Sequence, residues 1–204
     1  MAAIFHDVEQ NSPEWFRLRA GMPTASMFAT VMASGKGGAE SVTRRKYMLR
    51  LAGEIITGEP EETFSNHHTE RGKIMEDEAR QFYAFMHDAD PTRVGFVTNG
   101  PKGCSPDSLL GDRGLLQIKT ALPSILAEKI LKGDFPPEHR AQCQGELWVT
   151  ERDFIDISIY WPKMPSFVKR AYRDEVYIRT LSDAVDAFND ELTETVERIR
   201  QRAA

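Results

Sequence analysis

The chain is poor in cysteine, has no long apolar run and carries no excess of positive charge. Its two cysteines, Cys104 and Cys143, form neither a disulfide framework nor a zinc-ligand spacing. A reducing cytoplasm is therefore the expected setting. No apolar stretch approaches the roughly 20 residues of a membrane span, so no membrane partner is expected. Residues 1–7 lack a basic region followed by an apolar core, and no secretory signal is expected. The net charge of −5 argues against a protein coated in DNA-binding charge. It leaves room for one that meets DNA locally, because a ligand senses the nearby field rather than the total. The basic residues fall in clusters: Arg44-Arg45-Lys46 with Arg50, Lys129 with Lys132, and Lys163 with Lys169, Arg170 and Arg173. Taken singly, each reads as a solvated helix face.

What is present suffices for one sizeable core: 41% apolar and 28% charged residues over 204 positions. With no internal repeat, low-complexity tract or clear boundary, a single domain over residues 1–204 is expected. Ser12-Pro13-Glu14 is a strong helix start, and Gly21 stops that helix. Thr24 is placed to cap a second helix running to residue 33. Ser34-Gly35-Lys36-Gly37-Gly38 has a glycine-lysine flavour, but Gly37 stands where a phosphate loop has Ser or Thr. Helical spacing covers residues 41–57 and 70–86, the second with Met75, Ala79, Phe82 and Met86 as its apolar stripe. Within it Glu76 borders the stripe and is the acid best placed to look inward. His67-His68 reads as surface loop rather than metal site. Strands are expected at 94–98 and 154–160, with a weaker one at 176–179. Further helices are expected at 123–131, 138–148 and 182–200.

The most informative stretch is Cys104-Ser105-Pro106-Asp107, followed by Leu109-Leu110, a turn at Gly111-Asp112-Arg113-Gly114, and Leu116-Gln117-Ile118-Lys119. It reads as a β-hairpin. Alternation turns Leu116 and Ile118 to one face, expected to pack on the core, and Gln117 and Lys119 to the other. A carboxylate, an oxygen-bearing side chain and a lysine on one sheet edge is an arrangement that can hold Mg²⁺ and polarise a phosphodiester. Pro-Asp, a gap, then acid-x-Lys is the signature of the PD-(D/E)XK nucleases, with Gln117 where an acid is expected. Alone, the same residues are ordinary turn chemistry and solvated side chains.

Several separated segments extend the pattern. They are Leu18-Arg19-Ala20-Gly21 with Thr24-Ala25-Ser26, Gly72-Lys73 with Glu76 and Ala79-Arg80, and the Ser-Pro-Asp and Ile118-Lys119 hairpin. Ala141-Gln142-Cys143-Gln144 and Leu147-Trp148-Val149-Thr150 complete the set. In this order they resemble the YqaJ-type viral recombinases, the phage lambda exonuclease family of PD-(D/E)XK nucleases. The resemblance runs from about residue 15 to 150.

It implies an α/β (α+β) fold with a restriction-endonuclease-like core, a central mixed β-sheet flanked by helices. The implied activity is processive 5′-to-3′ degradation of double-stranded DNA ends, leaving 3′ strands for a single-strand-annealing partner. A homotrimeric ring and a phage or prophage origin in a bacterial cytoplasm are implied with it. Carried over by position, Asp107, Glu76, Gln117 and the Ile118 carbonyl are the implied ligands of Mg²⁺, with Mn²⁺ as a substitute. Lys119 is the implied catalytic lysine. Arg19, Ser26, Ser105 and Gln142 are the implied 5′-phosphate contacts, a guanidinium with neutral donors. Two departures stand out. Gln117 is neutral, and residues 98–102 lack the further acid of the family. Gln117 is either an engineered replacement that holds DNA uncleaved or a natural variant. The rival to an active exonuclease is accordingly a catalytically silent DNA-end-binding protein on a nuclease fold.

Overall fold

The computed structural model describes residues 2–35, 37, 41–61 and 67–202, and for residues 67–74 the backbone alone. In chain order the first half holds β1 (Ile4–His6), α1 (Pro13–Arg19), α2 (Phe28–Val31), α3 (Val42–Thr57), α4 (His67–His87) and β2 (Pro91–Thr92). Next come β3 (Phe96–Thr98), β4 (Gly103–Cys104), β5 (Ser108–Leu110), β6 (Gly114–Thr120) and α5 (Pro123–Lys132). The chain ends with α6 (Arg140–Thr150), β7 (Phe154–Tyr160), β8 (Phe167–Tyr172) and α7 (Glu175–Arg202).

The larger sheet runs β2-β5-β6-β7-β8, and a small antiparallel sheet runs β1-β3-β4. The β5–β6 hairpin forms as expected, with Ser108 opposite Leu116. Parallel pairing sets Gln117 beside Ile157 and Lys119 beside Ile159, and β8 returns antiparallel, so the sheet is mixed. Helices cover both of its faces. Leu116 and Ile118 pack with Met75, Ala79 and Tyr83 of α4. Leu115 packs with Ile155, Ile157, Leu126 of α5, and Cys143 and Leu147 of α6. The hairpin is therefore not a sheet edge with one open face. β6 is an inner strand buried on both sides, as parallel pairing under crossover helices requires.

A third core joins Phe28, Tyr47, Leu51, Val149, Leu181 and Phe188 from α2, α3, α6 and α7. Helix α6 serves this core through Val149 and the sheet core through Leu147. Gly145 lets α6 approach α2, since a Cβ there would meet Phe28 Cδ2 at 2.4 Å.

Several boundaries differ from the sequence reading. Residues 176–179 are the first turn of α7, not a strand, because Asp174 caps the helix by accepting the Tyr177 amide at 3.0 Å. The strand lies earlier, at Phe167–Tyr172, inside a stretch read as a basic cluster. There Arg170 is held by Asp156 with two bonds of 2.8 Å, and Tyr83 donates to the same carboxylate. Helix α4 begins at His67 rather than Glu70, so the His67-His68 pair is helical backbone. Thr24 starts a short 3₁₀ turn, Ala25–Met27, that leads into a four-residue α2. The side chains of His67, His68, Gly72 and Lys73, and much of the glycine-lysine loop, lie outside the described residues. Among those described, no helix is long and apolar enough to cross a membrane.

Candidate active site

The hairpin brings Asp107 against the strand that follows it. The Asp107 amide donates to the Leu116 carbonyl at 3.1 Å, which fixes the residue across from Gln117. Its Oδ2 accepts the Gln117 amide at 2.6 Å and the Ile118 backbone N–H at 2.5 Å. Arg80 of α4 clamps the turn from the other side. It donates to Ser108 Oγ at 2.8 Å and to the Asp107 carbonyl at 3.2 Å. The same guanidinium pairs with Glu76 and Asp77, both at 2.5 Å. Glu76 and Asp107 thus line one cleft of about 460 Å³, with Asp7, Glu9 and Arg93 at its border.

Burial dominates the electrostatics. Asp107, 8% exposed, is pushed up to about 7 by desolvation; Lys119, the Ile118 N–H and Arg80 oppose the rise and Glu76 adds to it. Glu146 on α6 is pushed up to about 8 by burial and further by Asp107, against its bond from Gln142 and the charge of Lys119. Lys119 is half-buried at the end of β6, within electrostatic reach of Asp107, Glu146 and His139. His139 is pulled down to about 4 by burial and by Lys119, so its ring is neutral at neutral pH. Two buried side-chain oxygens in this region, Gln117 Oε1 and Glu146 Oε2, have no partner.

The anion side is assembled separately. The Arg19 guanidinium lies 3.9 Å over the Trp15 ring, and Trp15 Nε1 donates to Ser105 Oγ at 2.9 Å. Burial lowers Arg19 to about 10, with Tyr47 opposing and Arg50 adding, and it stays charged at neutral pH. Gly21 follows at φ +71, where a Cβ would meet Ile55 at 2.5 Å; its amide donates to Glu54 at 2.7 Å. That turn lets Thr24 bridge to Gly103 of β4, two residues before Ser105. Ser26 is exposed, its Oγ 3.3 Å from Thr24 Oγ1. Gln142 reaches from α6, donating to Glu146 at 2.8 Å.

The structure thus puts Asp107, Gln117 and Ile118 in direct contact and joins Glu76 to them through Arg80. Arg19 is linked to Ser105 through Trp15, and Gln142 to the acids through Glu146. Ser26 touches none of the other expected residues directly. Trp15, His139 and Glu146 were not singled out from sequence, and Arg80 entered only within the Ala79-Arg80 segment of the family resemblance, with no role of its own. Trp15 and Arg19 are four apart on α1, as Glu76 and Arg80 are on α4, and that spacing was the available signal. For Glu146 the signal was weaker, an acid flanked by Cys143 and Leu147 on a helix. Among the described residues, no three His, Cys, Asp or Glu side chains form a preassembled metal cage.

Residues 14–153 match the model of the YqaJ-like viral recombinase domain. No curated protein matches the chain. The alkaline exonuclease LHK-Exo from Laribacter hongkongensis is 32% identical, with a TM-score of 0.84 over 94% of this chain and 98% of that one. The same exonuclease in complex with dAMP gives 0.85 at the same identity and coverage. A phage-related exonuclease from Haemophilus somnus 129PT shares the fold at 14% identity, with a TM-score of 0.69 over 90% of this chain and 99% of that one. The family's domain spans most of the chain and includes the whole Asp107–Lys119 hairpin, so this chain belongs to the YqaJ-like viral recombinase family.

Proposed function

We propose that this chain is a Mg²⁺-dependent exonuclease that degrades the 5′-ended strand of duplex DNA processively from its ends, leaving 3′ single strands. The observation that carries the reading is Asp107, buried and fixed against Gln117 and Ile118, with Lys119 within electrostatic reach. The oxygen donors suit Mg²⁺, which keeps several waters and needs few protein ligands. Asp107, Glu76, Gln117 Oε1 and the Ile118 carbonyl would hold it, and the unpartnered Gln117 oxygen fits that use. When bound, the cation supplies Lewis acidity to the scissile phosphate and to the attacking water.

The chain's own groups do the rest. Arg80 holds Asp107 by its carbonyl and keeps Glu76 at the same cleft. Lys119 orients the attacking water and stabilises charge on the phosphate. Arg19, Ser105, Ser26 and Gln142 fix the terminal 5′ phosphate, which sets the strand end against the site. In this reading the chain works as a three-fold ring in a bacterial cytoplasm and passes the 3′ strand to a single-strand-annealing protein.

One observation favours a second reading, a silent DNA-end binder. The Gln117 amide nitrogen sits on the Asp107 oxygen, where an acid would invite a cation. Digestion of a 5′-phosphorylated linear duplex, with and without Mg²⁺, decides between them when run on this chain and on Gln117→Glu. Mg²⁺-dependent nucleotide release by this chain supports the exonuclease. Release by Gln117→Glu alone supports the silent binder. Release by neither rejects the exonuclease reading.

A further inference from the structure

The carboxylate missing from β6 has a counterpart on α6. Glu146 is 1% exposed, and its Oε2 has no hydrogen-bond partner. An unpaired acid at that depth is costly to ionise, and an apolar or amide side chain would fill the space without the cost. Strand alternation places Gln117 and Lys119 on the same face of β6 as Leu115. That face packs against Cys143 and Leu147, the helix neighbours of Glu146. The charged groups acting on Glu146 are Asp107 and Lys119, the two ends of the same hairpin site. Holding Gln142 does not explain the charge, since a glutamine at 146 would accept the same 2.8 Å bond through its own oxygen.

We propose that Glu146 supplies from α6 the negative charge that Gln117 lacks on β6, so that a divalent cation is held by the acid pair Asp107 and Glu146. The proposal rests on the metal-dependent reading of the site. It explains both orphaned oxygens at once: Gln117 Oε1 and Glu146 Oε2 are the spare donors of one oxygen-lined site. It also gives Gln117 a natural place in the family, because the charge has moved rather than vanished.

The test is calorimetric titration of the full chain with Ca²⁺, which reports binding without turnover. The three proteins are the chain itself, Glu146→Gln, and Glu146→Gln combined with Gln117→Glu. Loss of a carboxylate from the site should weaken Ca²⁺ by about ten- to a hundred-fold in the single variant. The double variant should regain most of the affinity, since the charge returns on the neighbouring strand. Matching circular dichroism spectra establish that each variant is folded. Unchanged affinity in Glu146→Gln overturns the proposal, and so does a double variant as weak as the single one. If the unaltered chain binds no Ca²⁺, the metal-dependent reading fails and this proposal with it. If it binds and Glu146→Gln binds equally, only this proposal fails.

Discussion

Asp107→Asn should make the chain more stable in alkaline buffer without divalent cations, although it removes the central acid of the site. The folded protein holds the Asp107 proton up to about 7, against an ordinary value of 3.8. Between those values the folded state binds more protons than the unfolded one. The contribution is therefore fully favourable below about pH 4, falls as pH rises, and is lost above about 7. Roughly three units at about 1.4 kcal/mol each give a ceiling of about 4 kcal/mol. Relaxation and water penetration around the ionised group reduce this, so about 2–4 kcal/mol is expected. Asparagine keeps an oxygen for the Ile118 N–H, and Gln117 can turn its unpartnered Oε1 toward the new amide. The assay is urea unfolding in EDTA at pH 5 and pH 9. The variant should gain stability at pH 9 and only about a third as much at pH 5, since the unfolded carboxyl is already ionised there and part of the contribution is gone. Ca²⁺ at pH 9 should close the gap by stabilising the parent. A loss at pH 9, or a gain of equal size at pH 5, would refute the reasoning, because ionisation would then not be the cause.

Lys119→Ala should abolish turnover while leaving Ca²⁺ binding measurable by calorimetry; full nuclease activity would remove Lys119 from the mechanism. Arg19→Ala should reduce the preference for 5′-phosphorylated over 5′-hydroxyl ends by about ten- to a hundred-fold, the ~1.5–3 kcal/mol of one charge-assisted bond, in competition digests. An unchanged preference assigns the arginine to its stack on Trp15 alone. Duplex binding should weaken linearly with the logarithm of salt, at about −0.9 per phosphate neutralised. The slope should be modest, since Arg44, Lys129, Lys132, Arg170 and Arg173 are already paired with acids; a flat response excludes backbone contact. Gly145→Ala should cost about 1–3 kcal/mol in thermal unfolding, because its methyl meets the Phe28 ring; an unshifted midpoint shows that α2 yields freely.

The hairpin was readable from sequence because its logic is local. Asp107, a tight turn and Gln117-Ile118-Lys119 lie within thirteen residues, and strand alternation does the rest. The long α7 was readable for the same reason, through its stripe of Val185, Phe188, Leu192 and Val196. Features that depend on a distant partner were not. The basic look of 167–172 hid a strand because Asp156, which neutralises Arg170, arrives from β7. The β-branched look of 176–179 gave way to a helix because Asp174 is tied at its own amide by Gln144 and caps the first turn of α7. Trp15 gains a role only where Ser105, ninety residues away, accepts its indole N–H, and nothing beside Glu146 in sequence shows that Asp107 and Lys119 act on it.

Helix α6 belongs to two apolar cores, and this has a consequence for how the molecule comes apart. A helix wedged on both flanks cannot fray without opening the sheet core and the helical core together. Its central amides should then exchange with solvent only through whole-chain unfolding, at the global free energy. Gln142 and Glu146 ride on that helix. Heating should accordingly yield no folded species with a dismantled site, and the loss of cation binding should coincide with the loss of the fold itself.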